Sequence, residues 1–222
     1  MSFSTNWKKY IGLAGILFLF PLAWFVLFVG FGKHHFNTLP YFDAGHTEGA
    51  DTSDYHLPAF SFTNHEGEAY TLDSLRGKVW IAAFYSMSDP NLAKITERLL
   101  NINWRYRGEY DIAIVVFSTS PEGDSSAVTK PYIEVNTRYN ETPGKWQFLT
   151  GPDSLMQDYI RDGFFVKDLR TEARFRLVDP NGQIRGLYGN TEYHIQDAIE
   201  DIALLKKEID QRIFDETHRH DH

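Results

Sequence analysis

Two apolar runs of strand length constrain the fold of this chain more than any other feature. The segments KVWIAAFYS (78–86) and YDIAIVVFST (110–119) are almost continuously apolar. That is the pattern of strands buried on both faces of a sheet. Between them, PNLAKITERLLNINWRY (90–106) puts Leu92, Ile95, Leu99 and Ile102 on one helical face, with Leu100 at its edge. Ahead of this unit, AFSFT (59–63) alternates, NHEG (64–67) turns and EAYTL (68–72) returns, which predicts a hairpin. DSLRG (73–77) reads as one helical turn ended by glycine.

The pattern continues beyond the second run. A helix is expected over about 124–139, bent or split at Pro131. KWQFLTG (145–151) reads as a strand and PDSLMQDYIRD (152–162) as a helix with proline in its first turn. EARFRLVD (172–179) and QIRGLYG (183–189) flank the turn signal PNG. The stretch 193–213 closes as an amphipathic helix with Ile195, Ile199, Ile202, Leu205 and Ile209 on one face. Strands separated by helices, then a hairpin and a terminal helix, predict an α/β fold. Its core is a thioredoxin-like mixed central sheet flanked by helices.

The N-terminal region adds an expected membrane helix. Residues 10–31 carry no charge. At about 1.5 Å per residue they span a hydrocarbon core of roughly 30 Å. The run is longer than the apolar region of a cleaved signal and leads into GFGKHHF, with no small-residue cleavage site. Lys8 and Lys9 precede it and only Lys33 follows closely. The positive-inside rule then gives a cytoplasmic N-terminus (1–9), a transmembrane anchor (10–31) and an exported remainder. The expected location is the inner (plasma) membrane, single-pass, with a periplasmic C-terminal domain. That remainder divides into a linker (32–57), a domain (58–213) and a polar, mobile, histidine-containing tail (214–222). The stretch FNTLPYF (36–42) is expected to lie against the membrane surface or the domain, with Phe36, Tyr41 and Phe42 as interfacial aromatics and not a ligand site. A net charge of -8 with no basic patch speaks against a nucleic-acid partner. The absence of cysteine excludes disulfides, thiol redox chemistry and thiolate metal sites.

Four segments carry a resemblance in their order and spacing: LPAFSFTNHEGEAYTLDSLRGKVWIAAF (57–84), FSTSPEGDS (117–125), KWQFLTG (145–151) and FRLVDPNGQIRGLYG (175–189). Together they resemble the SCO/SenC proteins, thioredoxin-fold copper-handling factors for cytochrome c oxidase assembly. The resemblance implies a copper site made of C-x-x-x-C at the hinge after the first apolar strand and a distant histidine. Laid on this chain, the two cysteine positions fall on Ser88 and Leu92, and the histidine position falls near Thr171. Neither 84–95 nor 164–182 contains cysteine or histidine. Soft Cu(I) and a thiolate-containing Cu(II) site require such donors.

The other candidates are lesser ones. Asp89 before Pro90 fits an N-cap followed by proline at the first helical position. Met87 reads as packing at the end of the strand. Asp111, Glu122 and Asp124 read as turn caps and not as an acid–base pair. No histidine stands near Ser88 in sequence to activate it. His218, His220 and His222 alternate in the tail and are the weak metal candidates, while His34 and His35 are adjacent beyond the anchor. His46, His56, His65 and His194 are isolated. The expectation is therefore a non-enzymatic, membrane-anchored assembly or accessory protein without a cofactor. It would act through contacts with a respiratory oxidase or its assembly machinery. The alternative is a copper-binding or delivery protein that uses the tail histidines.

Overall fold

The computed structural model describes residues 38–43, 54–138, 142, 144–168 and 174–219. The chain divides into two units, Met1–Asn37 and Thr38–His222. The expected anchor at 10–31 and Phe36 lie outside the described residues, as does the middle of the expected linker. Among the described residues no helix is long and apolar enough to cross a membrane.

The elements, in order, are β1 (Ser61–Asn64), β2 (Ala69–Thr71), a 3-10 turn (Leu72–Leu75), β3 (Val79–Tyr85), α1 (Leu92–Arg105), β4 (Ile112–Ser118) and α2 (Ser126–Thr137). They are followed by β5 (Trp146–Thr150), α3 (Asp153–Asp158) running into a π turn (Tyr159–Gly163), β6 (Phe175–Val178), β7 (Ile184–Tyr188) and α4 (Glu192–Arg219). The seven strands form one mixed sheet in the order β2-β1-β5-β4-β3-β6-β7. β3, β4 and β5 are parallel, and the pairs β1–β2, β1–β5, β3–β6 and β6–β7 are antiparallel. This is a thioredoxin-like sheet with an added N-terminal hairpin beside β5.

The two apolar runs become β3 and β4, and every residue of both is buried. Successive side chains of a strand point to opposite faces. Ile81, Ala83 and Tyr85 therefore join Ile95, Leu99, Ile102, Ile195, Ile202 and Leu205 beneath α1 and α4. Trp80, Ala82 and Phe84 join Phe60, Phe62, Phe117, Ile160 and Phe164 on the opposite face. Each large side chain so buried contributes about 1.5–3 kcal/mol relative to exposure. The hairpin is shaped by its turn. The Asn64 Oδ1 accepts the Glu66 and Glu68 amides at 3.0 and 2.9 Å, and Gly67 takes φ +86.

Three expectations are narrowed or corrected. Of the two places open to the 36–42 stretch, Tyr41 and Phe42 take the one against the domain. Phe42 is buried and its amide donates to the Ile184 carbonyl at 3.0 Å, while the Tyr41 ring lies 3.9 Å from the Arg185 guanidinium. The cause is Arg185, whose side chain is fully buried. It donates to the Leu39 carbonyl (2.7 Å) and to both Glu208 carboxylate oxygens (3.0 and 2.9 Å), with Asp179 at 3.6 Å. Second, the tail is helical through Arg219. No glycine or proline interrupts 192–219, and the His218 ring stacks on Phe214 one turn earlier, with centroids 4.0 Å apart. Third, α2 runs unbroken as one helix across Pro131. Ile133 in its next turn is buried against the sheet, and tertiary packing offsets the lost hydrogen bond.

Candidate functional site at the β3–α1 hinge

Beyond Tyr85 the chain leaves the sheet through residues 86–91 and enters α1 at Leu92. The strand end is fixed by the Thr119 amide, which donates to the Tyr85 carbonyl at 3.2 Å. Ser86 is buried, and its hydroxyl lies 3.0 Å from that of the exposed Ser88. The Met87 amide donates to Asp124 Oδ1 at 3.0 Å. Asp124 is itself 1% exposed, and its second oxygen accepts the Ser118 hydroxyl at 2.6 Å. One buried carboxylate therefore joins the hinge, the end of β4 and the turn before α2. This is a correction to its reading as a local turn cap.

Asp89 faces the other way. Its Oδ2 meets Arg174 Nη1 at 2.5 Å, and its Oδ1 accepts the Asn91 amide at 2.8 Å. The N-cap of α1 is Asn91, so the expectation of Asp89 in that role is off by two residues. The Leu92 amide donates to the Asp89 carbonyl at 3.0 Å, closing a turn that leads into the helix. Asp89 caps this turn and pairs across the loop. The side chain of Leu92 packs against the core under α1. Thr171 lies outside the described residues.

Below the loop runs a chain of hydroxyls. Thr96 Oγ1 donates to the Leu92 carbonyl at 2.7 Å and lies 2.8 Å from the Tyr132 hydroxyl, which lies 3.1 Å from that of Tyr85. Thr96 has one proton and spends it on the carbonyl, so Tyr132 donates to Thr96 and Tyr85 donates to Tyr132. Burial pushes the Tyr85 phenol well above its ordinary range and raises that of Tyr132. Both remain protonated hydrogen-bond donors and tie β3 and α2 to α1.

The residues at the hinge do not fit a copper ion. Its hydroxyls and single thioether are poor substitutes for thiolate and imidazole. Its carboxylates are engaged, Asp89 by a guanidinium and Asp124 by an amide and a hydroxyl. Among the described residues no group of three or more His, Cys, Asp or Glu side chains could hold a metal ion. The remaining candidates are dispersed. Asp111 pairs with Lys206 at 3.0 Å, and Glu122 is exposed. His194 accepts the Gly189 amide at 3.1 Å, and His56 is exposed beside the Asp54 carbonyl. His218 Nδ1 lies 2.9 Å from the Phe214 carbonyl, while His34, His35, His46, His220 and His222 lie outside the described residues. Arg174 was missed by sequence reasoning, because a charge ahead of a strand looks solvated until the sheet order is known.

No family model matches the chain. It is 28% identical over 166 residues to the SCO1 protein homolog of Bacillus subtilis (strain 168), an alignment that covers 68% of this chain and 83% of that protein. A SCO1/SenC family lipoprotein from Bacillus anthracis superposes with a TM-score of 0.58 at 25% identity, covering 69% of this chain and 96% of the other. BsSco, a member of the Sco family of cytochrome c oxidase assembly proteins with an identified disulfide switch, superposes with a TM-score of 0.56 at 27% identity, covering 70% and 96%. The order of its segments, its sheet and these matches agree: over about two thirds of its length the chain is similar to SCO/SenC proteins, and it contains no cysteine.

Proposed function

We propose that this chain is a membrane-anchored accessory factor in cytochrome c oxidase assembly that works through protein contacts, without copper or thiol chemistry at its hinge. The observation that carries the reading is the state of the loop at 86–91. In place of a donor set it holds an Asp89–Arg174 ion pair on one side and the Asp124 hydrogen bonds on the other. The oxidase setting comes from the relatives, one of which is a cytochrome c oxidase assembly protein. The uncharged run at 10–31 supports an anchor in the plasma membrane, with residues 1–9 cytoplasmic and the α/β domain on the outer side.

The test is capture from membranes. The tagged chain is extracted in mild detergent and its companions are identified. Retention of oxidase subunits or their assembly proteins is the expected result. Retention of an unrelated complex overturns the reading. Copper is measured on the same material, with and without residues 215–222. Stoichiometric copper that survives the deletion overturns the copper-free hinge. Copper lost with the deletion instead makes the tail histidines its holders and the chain a metal-delivery protein.

A further inference from the structure

The Asp89–Arg174 pair joins two segments that are far apart in sequence, the hinge loop and the lead-in to β6. The family resemblance puts metal ligands on these same two segments. Asp89 lies between Ser88 and Leu92, and Arg174 lies three positions after Thr171. We propose that Arg174 is an internal cation that cross-links the hinge to β6 in place of a metal ion, so that the loop is held closed without metal and disfavours one. The inference deepens the accessory reading and rests on it for its biological setting.

Three observations support the cross-link. The pair is largely withdrawn from water, with side-chain exposures of 15% for Arg174 and 8% for Asp89. A charge-assisted bond in such a place is stronger than a surface ion pair. Both partners are also held from behind. The Arg174 carbonyl accepts the Phe84 amide at 3.1 Å, which extends the β3–β6 pairing and fixes the backbone from which the guanidinium reaches. The other oxygen of Asp89 is fixed by the Asn91 amide at 2.8 Å. Finally, the loop is tied independently at Met87 through Asp124, so two neighbouring positions are secured to two different elements. A metal cation brought to this loop has to compete with the guanidinium for the Asp89 carboxylate.

Two experiments on the purified full chain test this. In the first, hydrogen exchange is followed at the 86–92 amides. Arg174→Gln or Asp89→Asn is expected to accelerate exchange there by about tenfold or more, with the β4 amides unchanged. The double variant is expected to exchange no faster than either single one. Unchanged exchange in both single variants, or additive effects in the double, overturns the cross-link. The second experiment restores the donors with Ser88→Cys, Leu92→Cys and Thr171→His together, and titrates Cu(I) under reducing conditions. Adding Arg174→Gln to that background is expected to tighten copper binding at least about tenfold. Equal or weaker binding after Arg174 is removed overturns the proposal. Neither experiment needs a partner protein, so their failure is distinguishable from failure of the accessory role.

Discussion

Lys145 offers a test of how burial sets charge in this domain. It immediately precedes β5 at 3% exposure, donates to the Tyr106 carbonyl and faces Glu109, Asp111 and Lys206. Burial is the leading cause that pushes its pKa from 10.5 down to about 8, and the two carboxylates only partly oppose it. At about 1.4 kcal/mol per pH unit, that displacement corresponds to roughly 3 kcal/mol. The native chain gives up this proton more readily than the unfolded chain. Stability therefore rises with pH between about 8 and 10.5, and below about 8 the fold carries the whole cost of a buried ammonium. Lys145→Met removes the charge and keeps an apolar stem of similar length. It leaves no orphaned acceptor, because the Tyr106 carbonyl still receives the Glu109 amide at 3.1 Å. The variant is expected to be more stable at pH 7 by about 1–3 kcal/mol, and its advantage is expected to shrink toward pH 10. Urea unfolding of both chains in mild detergent at pH 7, 9 and 10 measures the difference, in which the tyrosine titrations cancel. A variant less stable at pH 7, or a difference that stays constant with pH, refutes the reasoning.

Two further outcomes follow from buried polar groups. His65 Nδ1 accepts the Phe148 amide at 3.4 Å, just where the β1–β5 ladder ends at the Asn64–Leu149 pair. Burial, aided by Lys130 and opposed by Glu66 and Glu134, holds its pKa below the ordinary 6.5. This stabilisation is complete above about pH 6.5 and is lost as the pH falls through the folded-state value. His65→Gln is expected to flatten the stability profile between pH 7.5 and 4.5, and an unchanged slope would count against it. Arg185→Met leaves Asp179 without that cation and Glu208 with Arg212 alone, and is expected to cost about 3–5 kcal/mol. It is also expected to free the 38–43 segment for chymotryptic cleavage at Tyr41, so resistance equal to the parent would argue against the clamp.

Local pattern carried the central elements. The apolar runs gave β3 and β4, the helical face of Leu92, Ile95, Leu99 and Ile102 gave α1, and Pro180-Asn181-Gly182 gave the turn between β6 and β7. Long-range pairing was not legible. Nothing in AFSFT says that Thr63 pairs with Thr150, or that the hairpin lies beside β5. Two of the ion-paired arginines share that origin. Arg174 and Arg185 sit in or beside strands that read as ordinary alternation. Only the β3–β6–β7 order brings one to Asp89 and the other to Glu208. The absence of cysteine and histidine from 84–95 could be read from sequence alone, whereas the Asp89–Arg174 ion pair required the fold. The helical continuation through Phe214 and His218 was hidden by its polar composition, which signals a solvated surface without distinguishing helix from tail.

The position of the hairpin also bears on the order in which the domain assembles. β1 and β2 form from neighbouring residues, and Phe60, just before β1, and Phe62, within it, stack on each other with centroids 5.6 Å apart. Their aromatic partners outside the hairpin are Phe117 and Tyr159, with centroids 5.3–6.2 Å away, and the strand that receives β1 ends at Thr150. Gly151 leaves room for the Phe62 ring, since a Cβ there would stand 2.8 Å from it. A chain made N-terminus first therefore carries an unsatisfied apolar hairpin until most of the domain has been synthesised. Closing so long a loop is entropically costly and slow, and docking of the hairpin is a late step in folding. During that interval the exposed phenylalanines are the part of the nascent chain most in need of a chaperone.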